Sequence, residues 1–206
     1  DDIFPNNWIS FHGNQYVIHS MFAKSRRLEK NNKFIKILND IGFKYSLLKD
    51  YSEFENKGIF LEGTGSVILD RINKLAYCSI SKRSNEKLFN IFCADIGYSP
   101  IVFSSFDSNG GAIYHTNVMM SICNNFAIIC LNSIRDKNER NNVIENLNNS
   151  GLEIIDISIN QMTSFLGNCI QLINSDQSPK LIMSSRAFNS ITKSQIKRIE
   201  SHTEII

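Results

Sequence analysis

The chain repeats a strand–strand–helix–strand pattern four times, and this periodicity limits its fold more than any single motif. The second copy is the clearest. A turn-like stretch from Glu62 to Ser66 is followed by an apolar run to Asp70, a polar break from Arg71 to Lys74, and a second apolar run from Leu75 to Ser81. That order predicts a strand, a turn and a strand. Ser84 to Ile96 then carries Leu88, Ile91, Phe92 and Ile96 on one helical face, with Ser84 as N-cap and Gly97 as stop. Pro100 to Phe106 follows as a third strand. In the third copy, Thr116 to Ile122 and Phe126 to Leu131 form a hairpin across Asn124-Asn125. A helix from Asp136 to Asn149 turns Val143, Ile144 and Leu147 inward, Gly151 closes it, and Leu152 to Ile157 returns as a strand. The fourth copy reads as strands at Asn168 to Ile173 and Lys180 to Ser184, a helix from Lys193 to Ser201, and a strand at Thr203 to Ile206. The first reads as strands at Trp8 to Phe11 and Tyr16 to His19, a helix from Leu28 to Ile41, and a strand near Lys44 to Leu48.

The first strands are entered near Asn7, Gly63, His115 and Gly167, at spacings of 56, 52 and 52 residues. Short mixed sheets leave exposed edges and one uncovered helix side, so four such units do not close on themselves. A ring of radial units would close, and it wants a fifth. The stretch from Asp1 to Pro5 resembles the middle of a domain and the last residues a strand cut short, so the expectation is truncation at both ends, with the fifth unit incomplete or missing. Residues 1–206 then form one partial α/β domain. Net charge is +2 with scattered Lys and Arg, which gives no basic face for nucleic acid. Five cysteines without C-x-x-C spacing, mostly in apolar runs, read as buried free thiols in a reducing, cytoplasmic setting. No apolar run is long enough for a membrane span. Neither a metal nor another cofactor is expected, since no Cys/His cluster has zinc spacing.

If the entrances share one end of a ring, Asn6, Asn7, Glu62, His115 and Asn168 converge there. A carboxylate near an imidazole favours the protonated ring and can orient it, which is a general acid/base arrangement. The bland alternatives are that Asn6 and Asn7 only shape a turn, that His12 and His19 are surface residues flanking strands, that Asp107 forms a loop before His115, and that Asn117 and Met119-Met120 pack within their strand. His202 ends a helix, where its charge is favourable.

Four strings occur in order: FPNNW (Phe4 to Trp8), LEGTGS (Leu61 to Ser66), YHTNVMM (Tyr114 to Met120) and FLGN (Phe165 to Asn168). Together they resemble the pentein superfamily of amidinotransferases, arginine deiminases and dimethylarginine hydrolases, most of all its citrulline hydrolase branch. The resemblance covers essentially the whole chain and implies a five-unit α/β propeller. It implies His115 as catalytic histidine and Glu62 as its acid/base partner. The second acid common in relatives is absent, because Gly65 or Ser66 stands in its place. For the substrate it implies Arg83, in SISKRS, on the carboxylate, with Arg26 or Arg27, Asp1 and Asn168 as further contacts. The partner is therefore a small ureido or guanidino molecule, and a homo-oligomer is compatible with the resemblance.

Guanidine-processing relatives carry an acid at the position of Asn7. A carboxylate suits the donors and charge of a guanidinium. A ureido group is neutral and presents a carbonyl oxygen, beside which an unpaired buried carboxylate is costly. Asn offers both a donor and an acceptor. The expected substrate is therefore citrulline or a similar ureido compound, hydrolysed to ornithine, ammonia and carbon dioxide. The alternatives are a deiminase, dimethylarginine hydrolase or amidinotransferase on guanidino substrates, and a non-catalytic binding propeller. The family places its nucleophilic Cys in a Gly-rich string beyond the point where this sequence stops. Cys169, after Gly167-Asn168, is nearest in style but begins an apolar strand and reads as a packing residue.

Overall fold

A computed structural model of the protein describes residues 5–206, so Asp1 lies outside the described residues. Twelve strands among these residues form four three-stranded sheets. The first holds β1 (Ile9–His12), β2 (Gln15–Ile18) and β3 (Ser46–Asp50), with helices α1 (Lys24–Arg27) and α2 (Asn32–Asp40) before β3. The second opens on the short helix α3 (Gly63–Ser66) and holds β4 (Ile68–Asp70), β5 (Leu75–Ser79), helix α4 (Glu86–Ile96) and β6 (Ser99–Phe103). The third opens on a 3-10 turn at Thr116–Val118 and holds β7 (Met120–Ile122), β8 (Phe126–Ile129), helix α5 (Lys137–Asn149) and β9 (Glu153–Asp156). The fourth follows helix α6 (Ile159–Thr163) with β10 (Ile170–Ile173), β11 (Pro179–Ile182), helices α7 (Ser185–Phe188) and α8 (Lys193–Glu200), and β12 (Glu204–Ile205). Every sheet pairs its first two strands antiparallel and its second and third parallel.

The repeat predicted from the sequence is therefore present in all four copies. Helix boundaries differ where side chains compete for the cap. Ser84 does not cap α4; Asn85 does, accepting from the Leu88 N–H at 3.1 Å, while the Ser84 hydroxyl donates to Ser66 Oγ at 2.8 Å. Phe89 and Cys93 join Leu88 and Phe92 in the core, and Ile91 is exposed. The first-copy helix does not begin at Leu28, which is 86% exposed; Asn31 caps α2 by accepting from the Lys33 N–H. Glu62 to Ser66 is a helical turn instead of an open one. Asp136 caps α5 by accepting from the Asn138 and Glu139 N–H groups, and Thr192 with Gln195 forms a capping box on α8. The middle strands carry the core. All four residues of β8 are buried, as are Ala76 to Ser79 of β5, and the first strands of the second and third sheets, β4 and β7, lie beside one another.

His19 is not a surface residue, and His12 is half-buried. His19 is fully buried, and the Ser10 hydroxyl stands 2.8 Å from His12 Nε2 and 2.7 Å from His19 Nε2. Phe92 packs against both rings, and both Nδ1 atoms are buried without a hydrogen-bond partner among the described residues. Burial first, then the nearby positive charge of Arg71 and Lys74, lowers His12 to about 4. Burial, followed by His12 and Lys30, lowers His19 to about 3. Both rings are thus neutral in the folded protein at pH 5, whereas unfolded imidazoles take up protons below about pH 6.5. Stability is full above that pH and falls as the pH drops toward 4 and below, because the unfolded state binds the extra protons. Denaturant titrations between pH 7.5 and 4 are expected to show this slope, flatter in a His12→Gln variant.

Candidate active site

The three segments that enter the first three sheets meet at one point. Helix α3 packs on the 3-10 turn Pro5–Asn7 on one side and on the turn Thr116–Val118 on the other. Glycine permits this approach. A Cβ on Gly63 would lie 2.2 Å from the Asn6 carbonyl oxygen, and φ there is +40°. A Cβ on Gly65 would lie 2.5 Å from Asn7 Oδ1 and 3.0 Å from His115 Nδ1 and Cε1. The Asn7 amide and the His115 imidazole therefore flank the same glycine.

Glu62 is fully buried and fully bonded. Its Oε2 is 2.6 Å from His115 Nε2 and accepts from Arg83 Nη1 at 3.2 Å, and its Oε1 accepts from the Phe22 N–H at 2.9 Å. Burial pushes its carboxyl up, but the hydrogen bonds from His115 and Phe22 and the charges of His115 and Arg83 outweigh it and hold the group below the ordinary glutamate range. Glu62 is therefore a carboxylate. With Nε2 committed to it, the His115 nitrogen on the side of Gly65 is Nδ1. Asn7 is nearly buried, and its Oδ1 accepts from Asn6 Nδ2 at 3.4 Å while Asn6 Nδ2 also donates to Thr64 Oγ1 at 3.0 Å.

The other expected contacts are more dispersed. The Arg83 guanidinium lies between the Phe22 and Tyr114 rings, 5.6 and 5.4 Å from their centroids. Arg26 makes a two-pronged pair with Glu29 at 2.6 and 2.8 Å. Arg27 donates to the Met21 carbonyl, lies 3.5 Å from Glu55 and stacks on Phe60. Asn168 Nδ2 donates to the Asn117 carbonyl. With Asn6, Thr64 and Asn117 it lines an open cleft of about 680 Å³ between β4, β7 and β10. Asp107 closes its own loop by accepting from the Asn109 and Gly111 N–H groups. His202 bonds to Glu153 at 2.7 Å and stacks on Phe126.

The network that holds the pair is not evident from residue types. Ser66 Oγ accepts from the Glu62 N–H and donates to the Arg83 carbonyl. Thr116 Oγ1 donates to the Ser66 carbonyl and accepts from the Ser79 N–H. The only signal for these roles in the sequence is adjacency to Glu62 and His115. Burial pushes Cys78 up strongly, Cys93, Cys123 and Cys169 to about 12, and Cys130 to about 11; Cys169 Sγ donates to the Leu166 carbonyl. None is held as a thiolate at neutral pH. Among the described residues, no group of three His, Cys, Asp or Glu side chains could hold a metal ion, and no helix is long and apolar enough to cross a membrane.

The family model described as N,N dimethylarginine dimethylhydrolase, eukaryotic, matches residues 1–206. No curated protein sequence matches. Among solved structures, the chain is similar to ArgZ, an arginine dihydrolase from the ornithine-ammonia cycle in cyanobacteria, at 13% identity and TM-score 0.74 over 99% of this chain and 29% of that one. It is similar to the substrate-bound N-terminal domain of that protein at 14% identity and TM-score 0.71, over 98% of this chain and 67% of the domain. It is also similar to the DDAH of Pseudomonas aeruginosa complexed with citrulline, at 13% identity and TM-score 0.60 over 99% and 68%. The four-sheet α/β arrangement is thus that of the pentein propellers, and the chain spans under a third of the full-length arginine dihydrolase.

Proposed function

Because the chain belongs to the eukaryotic N,N-dimethylarginine dimethylhydrolase family of penteins, we propose that it carries the acid/base half of a C–N hydrolase site for a ureido amino acid, citrulline first. The observation that carries this is the buried Glu62–His115 pair at 2.6 Å with the Asn7 amide beside the ring. In this mechanism a cysteine thiolate from outside residues 1–206 attacks the ureido carbon, since burial keeps all five thiols here protonated. His115, as imidazolium, gives its proton to the departing side-chain nitrogen, which leaves as the amine of ornithine. The remaining carbamoyl thioester is cleared by water that His115 deprotonates, which frees the thiolate and carbamate; carbamate then decays to ammonia and carbon dioxide. Glu62 orients the ring and stabilises its charge. Asn7 addresses the ureido oxygen, Arg83 binds the substrate carboxylate, and Arg26, Asp1 and Asn168 are further substrate contacts. The setting is cytoplasmic.

A guanidino substrate is the second reading, and the family's name favours it. The two separate on one assay: the full-length protein is given citrulline or arginine, and ornithine and ammonia are followed. Turnover of citrulline supports the ureido reading, and turnover of arginine alone removes it. Gly65→Ala offers an independent check of the geometry. The added methyl meets both Asn7 and His115, so kcat is expected to fall at least tenfold, with a stability cost of about 1–3 kcal/mol from overpacking. Steady-state kinetics beside a thermal melt measure both.

A further inference from the structure

One carboxylate oxygen serves two side chains, an imidazole and a guanidinium. Glu62 Oε2 receives both His115 Nε2, at 2.6 Å, and Arg83 Nη1, at 3.2 Å. These are the two charged side chains acting on Glu62 among the described residues. They differ in freedom. His115 is almost wholly buried, whereas the Arg83 side chain keeps 28% of its exposure and lies between the exposed rings of Phe22 and Tyr114. A guanidinium has five N–H donors, and the Glu62 contact uses one of them. The backbone of Arg83 is anchored separately, because its carbonyl accepts from the Glu62 N–H at 3.2 Å and from Ser66 Oγ at 3.0 Å. The side chain can therefore leave Glu62 while the loop stays in place.

We infer that Arg83 is a positioning residue that makes the acid/base pair sensitive to substrate: a substrate carboxylate draws the guanidinium off Glu62 Oε2, and the whole negative charge of Glu62 then acts on His115. This rests on the assignment of Arg83 to the substrate carboxylate. A two-pronged Arg–carboxylate pair is stronger than the single 3.2 Å contact it replaces. With Arg83 gone, the carboxylate is less neutralised and favours the imidazolium more, which is the form that must protonate the leaving nitrogen.

The test is side-chain 15N NMR of His115 in the full-length protein, with norvaline as probe. Norvaline has the amino-acid end of the substrate and no ureido group. In the wild type, saturating norvaline is expected to move the His115 signals toward the imidazolium position at neutral pH. Arg83→Met is expected to show that position without norvaline and no further response. Arg83→Lys, which restores the charge, should return the free signal to its wild-type place. Wild-type signals that stay put under saturating norvaline overturn the inference, and this titration decides alone should Arg83→Met fail to fold. The fate of the proposed function is read separately: a protein that never hydrolyses citrulline but shows the norvaline response loses the reaction and keeps the coupling.

Discussion

His115→Ala in the full-length protein is expected to lower kcat by about 10²–10⁴-fold, the range a positioned acid/base group supplies, while the chain still folds. The loss falls on both half-reactions, because the same ring protonates the leaving nitrogen and later deprotonates water. The fold should survive because His115 sits on an entrance turn and not in the middle strands that form the core. Stability still drops, since Glu62 remains buried with one partner fewer. Arg83 Nη1 and the Phe22 N–H stay in place, so the cost is set at about 1–3 kcal/mol and not at the larger figure for a wholly stranded charge. Glu62→Gln should lower kcat in the same direction by a smaller factor, because a neutral amide still orients the ring but no longer favours its charged form. Unchanged turnover in His115→Ala removes the residue from the mechanism.

Residue pattern revealed the architecture better than the contacts within the site. The repeat was legible because strand and helix periods alternate four times, and the cores of β5 and β8 follow directly from their apolar runs. Convergence of Asn7, Glu62 and His115 was legible because equivalent positions in radial units face one end. Long-range polar pairing was not. Nothing in the residues around His19 says that it is buried, since the group that receives it is Ser10, across the β1–β2 hairpin. Arg83 reads as a substrate contact, and its bond to Glu62, 21 positions earlier, appears only once Gly63 lets α3 settle against Asn6. Ser84 and Asn85 are both good caps, and the choice between them was made by Ser66, which takes the Ser84 hydroxyl.

Asn7→Asp changes one atom's character and little else, which makes it the sharpest probe of substrate class. Asn6 Nδ2 donates to Asn7 Oδ1, and an aspartate keeps an oxygen there to accept it. The position already fits tightly against Gly65, and Asp has almost the same volume, so the backbone has no reason to move. What disappears is the Nδ2 donor, replaced by a carboxylate oxygen. A ureido oxygen facing that atom loses a hydrogen bond and meets a negative charge instead. Leaving a nearly buried carboxylate without its partner costs about 3 kcal/mol or more, which converts to about 10²-fold or more in kcat/KM for citrulline. A guanidinium gains what the ureido group loses, because its N–H donors and positive charge meet an acceptor. The variant is therefore expected to lose citrulline hydrolysis and improve on arginine, and the two substrates should move in opposite directions. A uniform fall on both would reduce Asn7 to a packing residue and leave the choice of substrate to some other part of the site.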